Sequence, residues 1–161
     1  MYNPKFLCCL IAYQFHQRLH QNMNIFLIIA GVLSALAAMI HLGCIYFGAP
    51  WYRFFGAGEH MARLAEQGNM QPTIITAAIV LVLSTWSLYA FSAAGLIVRL
   101  PLLRVALILI TAIYLIRAIA GFFLINDPMG RSPDFWLWSS VICLSVGLFH
   151  LFGLKQQWAS L

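Results

Sequence analysis

The feature that leaves this chain fewest choices is a set of four apolar runs, each of 20 residues or more. They are "NIFLIIAGVLSALAAMIHLGCIYFG" (24–48), "TIITAAIVLVLSTWSLYAFSAAGLIV" (73–98), "LLRVALILITAIYLIRAIAGFFLI" (102–125) and "FWLWSSVICLSVGLFHLFGL" (135–154). A helix needs roughly 20 mostly apolar residues to cross a bilayer. In hydrocarbon every backbone N–H and C=O must be satisfied internally, so only helices and closed barrels can span. No alternating apolar/polar strands occur, which excludes a barrel. The runs predict an all-α integral membrane protein with four transmembrane helices in an antiparallel bundle. They place it in one domain, residues 24–155, followed by a short tail at 156–161.

Charge agrees with that reading. Only 8% of the residues are charged, against about 25% in soluble domains. The net charge of +5 is spread between apolar runs rather than clustered, so it is not a nucleic-acid footprint. The stretch 1–23 has a short apolar piece, Phe6 to Ala12, and no small-residue cleavage site, unlike a signal peptide. Since "MNIFLIIAG" from Met23 reads as a natural start, residues 1–22 are either a native extension or translated upstream DNA. An even number of spans puts both ends on one side. With the extension, that side holds Lys5, Arg18, Arg99, Arg104 and Lys155 against Arg53, Arg63 and Arg131 on the other. The positive-inside rule then predicts cytoplasmic termini in a bacterial inner membrane. Starting at Met23, the count is three against three.

The connections differ in kind. "RLP" joins the second and third spans as a tight hairpin, with Pro101 in the first turn of the third helix. "NDPMGRSPD" is a loop of turn formers. The first loop, "APWYRFFGAGEHMARLAEQGNMQP", opens with aromatics and an arginine suited to the headgroup level. Within it "EHMARLAEQG" predicts a short interfacial helix stopped by Gly68, with Met61, Leu64 and Ala65 facing lipid or the bundle.

Arg117 is the anomaly. A charge at mid-span costs roughly 2.5–3.5 kcal/mol on insertion scales. Helical periodicity puts it on a stripe with Ala106, Ile110, Ile113, Tyr114, Ala120, Gly121 and Leu124. The other spans offer Gly31, Ser34, Ala38, His41 and Ile45; Thr73, Thr76, Val80, Ser84, Ser87, Phe91 and Ala94; and Trp136, Ser140, Cys143, Gly147 and His150. Such small, weakly polar faces let helices approach closely in lipid. His41 and Arg117 both sit roughly 10–12 Å below the same surface at 1.5 Å per residue. No span contains an acid, so a carboxylate partner for Arg117 must come from a loop: Glu59, Glu66, Asp127 or Asp134. Glu59, followed by His60, is the best placed if the first loop dips into the bundle. The candidate ligand-binding residues are therefore Arg117, His41, Tyr114, Glu59 and His60. Snorkelling of Arg117 to the headgroups is the competing reading.

Other chemistry fails on residue count. His41 and Cys44 share a face but supply two ligands where zinc needs three or four. His150 is placed near the opposite surface, on the order of 10 Å from the level of His41, so the two cannot share a haem. Cys8, Cys9, Cys44 and Cys143 form no C-x-x-C pair. Four-helix thiol oxidoreductases thus match in size class alone. Small multidrug antiporters use a membrane glutamate that is missing here, and the glutathione-using four-helix enzymes carry Arg, Asn and Glu within their spans. No catalytic residues, metal or cofactor are expected. The leading reading is a non-enzymatic accessory or assembly factor that contacts the lipid bilayer and binds membrane proteins or lipids, alone or as a homo-oligomer. The alternative is a binding or transport protein for a small anionic or amphipathic ligand, held in a cavity around Arg117 and His41.

Overall fold

The computed structural model describes residues 23–126 and 129–161; the N-terminal stretch 1–22 and Asp127 lie outside them. Four long helices, α1 (Ile25–Phe47), α4 (Gln71–Ala93), α5 (Leu103–Phe123) and α6 (Pro133–Gln157), are each long and apolar enough to cross a membrane. Two short ones, α2 (Ala49–Phe54) and α3 (Glu59–Glu66), lie in the first loop. The protein is a small polytopic membrane protein built as a four-helix bundle.

Local chemistry sets the ends. Asn24 caps α1 by accepting the Leu27 N–H at 3.1 Å. The same side chain, buried, donates to the Gly153 carbonyl and the Gln156 amide oxygen, tying the start of α1 to the end of α6. Ser132 caps α6 at the Phe135 N–H, 3.1 Å away, with Pro133 in the first turn.

Between α4 and α5 the expected boundary shifts. Apolar residues run on to Val98, but α4 stops at Ala93. Gly95 turns the chain at φ +83°, and Ser92 Oγ accepts the Leu100 N–H and donates to the Val98 carbonyl, both at 2.9 Å. Hydropathy cannot reveal a stop made by one serine and one glycine. Pro101 precedes α5 rather than entering its first turn, and Leu102 takes the N-cap position in a left-handed conformation.

α1 packs most broadly on α4 and α5 on α6, with thinner α1–α6 and α4–α5 seams closing the ring. Burial is inverted relative to a soluble bundle. Ser34, Thr76, Ser87, Thr111, Ser140 and His150 are buried, while Leu36, Met39, Leu81, Leu109, Ile116 and Phe152 face outward. That arrangement suits lipid outside and hydrogen-bonding partners inside. The buried face of α5 is rotated from the expected stripe: Ile113 and Ala120 are exposed, and Leu107, Thr111 and Ala118 lie inside instead. On α1, Cys44 rather than Ile45 continues the buried line.

The first loop folds into a cap. Helix α3 covers the expected segment, and Gly68 follows it at φ +72°. Ala62 is its buried residue, with Met61, Leu64 and Ala65 half-buried around it. Helix α2 was not legible in the sequence. Its Tyr52 hydroxyl reaches Thr76 Oγ1 of α4 at 3.1 Å. Cys44, Ala49, Tyr52 and Ala62 form a small core beneath.

Candidate functional site

Six residues before the end of α5, roughly 9 Å along the helix axis, the Arg117 side chain turns towards α6. Its Nη2 donates to Ser139 Oγ at 2.9 Å. The guanidinium carbon stands 5.0 Å from the centre of the Trp136 ring, a cation–π distance. Nη1 is buried and has no hydrogen-bond partner, and the same holds for Ser140 Oγ. Gly121, one turn along α5, makes this close approach feasible. A Cβ there would stand 2.9 Å from Arg117 Nη1 and closer still to Ser140 Oγ.

A second cation joins from the loop before α6. Arg131 lies over Phe135 at 4.7 Å and near Trp136 at 5.7 Å. Burial, and then the like charge of Arg117, push its pKa below the usual arginine range. Two guanidiniums thus flank one indole. Among the described residues every ion pair lies in the cap, and none involves Arg117 or Arg131. Like charges held together in a partly dry site favour an anion between them.

The sequence-derived candidates are not all brought together. Glu59 does not reach Arg117. Arg53 of α2 grips its carboxylate with Nε and Nη2, both at 2.9 Å, and Arg63 Nε approaches at 3.2 Å. Those hydrogen bonds, led by Arg53, hold the Glu59 pKa down to about 2. Arg53 Nη1 also takes Glu66 at 2.6 Å, so one guanidinium clasps both ends of α3. His60 is exposed on α3. Asp127, another candidate partner, lies outside the described residues.

His41 is half-buried, and its Nδ1–H donates to the Ala37 carbonyl of its own helix at 2.7 Å. It therefore does not join Arg117, whose contacts are on α6. Tyr114 is buried one turn below Arg117 and bonds Ser34 Oγ across the bundle at 3.0 Å. Its ring meets Trp86 edge-on and stacks on His150 at 5.4 Å. His150, seven residues before the end of α6, is fully buried between the helices. Its Nδ1–H donates to the Val146 carbonyl, while Nε2 has no partner.

Arg131, Trp136, Ser139 and Ser140 were missed as site residues. The stripe that carried Trp136 and Ser140 was legible, but nothing local in the sequence says that a loop arginine folds back over it. No group of three or more His, Cys, Asp or Glu with metal-binding geometry occurs among the described residues.

No protein-family model, curated protein or solved structure matches this chain.

Proposed function

We propose that the protein is a non-catalytic membrane binding protein that receives the anionic group of a small amphipathic solute. The seat is the cap end of the bundle, between α5 and α6. Arg117 and Arg131 supply the charge, Ser139 and Ser140 the hydroxyls, and Trp136 an apolar wall. The observation that carries this is the pair of guanidiniums flanking one indole, with Arg117 Nη1 buried and unpaired. A planar fork with a free arm suits a carboxylate or phosphate.

The test is binding of a medium-chain carboxylate and an alkyl phosphate to purified protein in neutral detergent, with the matching alcohol as control. Both anions should raise the unfolding temperature and the alcohol should not. Arg117→Leu should abolish the shift. An unchanged shift in Arg117→Leu refutes the site.

A second reading, an accessory or assembly factor, is supported by the braced cap, whose α3 presents His60 and Arg63 outward. In that case a membrane protein co-purifies in constant ratio, and Arg117→Leu leaves the ratio intact. Both readings carry the expectation of cytoplasmic termini in a bacterial inner membrane, supported by the excess of Lys5, Arg18, Arg99, Arg104 and Lys155 over Arg53, Arg63 and Arg131. A reporter after Leu161 that is active only outside would reverse that orientation.

A further inference from the structure

At the opposite end of the bundle the α4–α5 turn, the start of α5 and Leu161 border an open cavity of about 530 Å³. Arg99 and Arg104 stand on its rim, and Leu102, Val105 and Leu161 belong to its lining. Each arginine is held by a main-chain oxygen. Arg99 Nη2 donates to that of Leu161, and Arg104 Nη2 to that of Trp158 at 2.9 Å. The Arg104 guanidinium also lies 4.8 Å from the centre of the Trp158 ring. A guanidinium has five N–H donors, so both arginines keep arms free while their positions are fixed.

Three further observations converge on the same cavity. Helix α5 begins without a side-chain cap, and its first residues, Leu103, Arg104 and Val105, line the space. An uncapped N-terminus of a long helix attracts negative charge. The three side-chain ion pairs among the described residues all lie in the cap, and none takes up Arg104. Finally, Leu102 holds a left-handed backbone, φ +54°, and is 77% exposed, next to the exposed Val105. A leucine in that conformation is strained, and its side chain is displayed where the bilayer surface meets the helix ends.

We infer that this cavity seats an anionic phospholipid. The phosphodiester lies between Arg99 and Arg104 at the start of α5, and the upper acyl chain runs over Leu102 and Val105. A bare phosphate ion would use the arginines but not the apolar side of the cavity. A lipid uses both, and its phosphate stands at the level where the helices end. This site is separate from the Arg117 site, and neither depends on the other.

The test is lipid retention by the full chain, read by native mass spectrometry after equilibration with equal phosphatidylglycerol and phosphatidylcholine. Phosphatidylglycerol should be retained preferentially. The double variant Arg99→Gln/Arg104→Gln should retain it roughly thirtyfold less, given the usual contribution of each basic residue at an anionic surface. Arg63→Gln, in the cap, should retain it as the parent does. Arg104→Lys should fall between, since lysine keeps the charge and loses the fork. Equal retention of the two lipids by the parent chain overturns the inference, as does undiminished retention by the double variant. If the double variant does not fold, the parent's preference and Arg104→Lys decide. In a thermal-shift arm, phosphatidylglycerol should stabilise the parent and inorganic phosphate should not; equal stabilisation by phosphate assigns the site to a free anion and refutes the lipid.

Discussion

Arg117 shows how a single charge is accommodated at depth. Removing it is expected to leave the bundle folded, because Nη1 is buried without a partner and an unpaired buried charge is itself destabilising. Arg117→Lys should retain the positive charge yet bind an alkyl carboxylate at least about tenfold more weakly, because a hydrogen bond to a charged group contributes roughly 1.5–3 kcal/mol. Titration by calorimetry in detergent measures this, and parent-like affinity would show that charge alone suffices. Gly121→Ala is the steric counterpart. Its methyl would enter the space held by Ser140 Oγ and Arg117 Nη1, and such overpacking costs about 1–3 kcal/mol. Gly121→Ala should therefore lower the unfolding temperature as well as binding, whereas Arg117→Leu lowers binding alone.

Among the elements, the cap is organised by Arg53, whose guanidinium spans from Glu59 to Glu66 and so fixes α3 against α2. Both carboxylates are held below the ordinary range, chiefly by hydrogen bonds from Arg53. Stabilisation from a lowered carboxylate pKa is complete above the unfolded value and disappears as pH falls through the folded one. For Glu59 the window runs from 4.5 down to about 2. Because these groups are exposed and screened, the effect should be local. The protection factors of the α3 amides, exchange rates taken against the intrinsic rate at each pH, should be high at pH 5 and fall towards pH 2.5, while the α4 and α5 amides stay protected. Arg53→Ala should show fast α3 exchange already at pH 5. Equal protection of α3 in parent and variant would mean that the apolar contacts of Tyr52 and Ala62 hold the cap unaided.

Across the whole molecule, Tyr114 connects the two helix pairs. From α5 it bonds Ser34 on α1, meets Trp86 on α4 and stacks on His150 of α6. Without a hydrophobic force between helices in lipid, such contacts and close packing hold a bundle together. Tyr114→Phe removes only the hydroxyl, and the expected loss is about 0.6 kcal/mol, the usual worth of an interhelical hydrogen bond in a membrane protein. Tyr114→Ala also removes the ring from a site it fills and should cost about 3–5 kcal/mol. Unfolding in mixed micelles separates the two, and equal losses would mean that the hydroxyl rather than the ring is the connection.

Run length, composition and turn chemistry determined the class, the number of spans and the α3 segment, because the energetic demands of a bilayer act on any stretch of chain regardless of its neighbours. The depth of Arg117 and the small-residue face beside it at Gly121 were legible for the same reason. Helix rotation was not. In a soluble helix the polar side marks itself, but here both sides of α5 are apolar, so Ile113 and Ala120 looked as inward as Ile110. The end of α4 at Ser92 and Gly95, the capture of Glu59 by Arg53, and the arrival of Arg131 beside Trp136 each join residues whose proximity no local pattern encodes. Only the packed tertiary structure decided them, because each depends on which helices become neighbours and on how a loop closes over their ends.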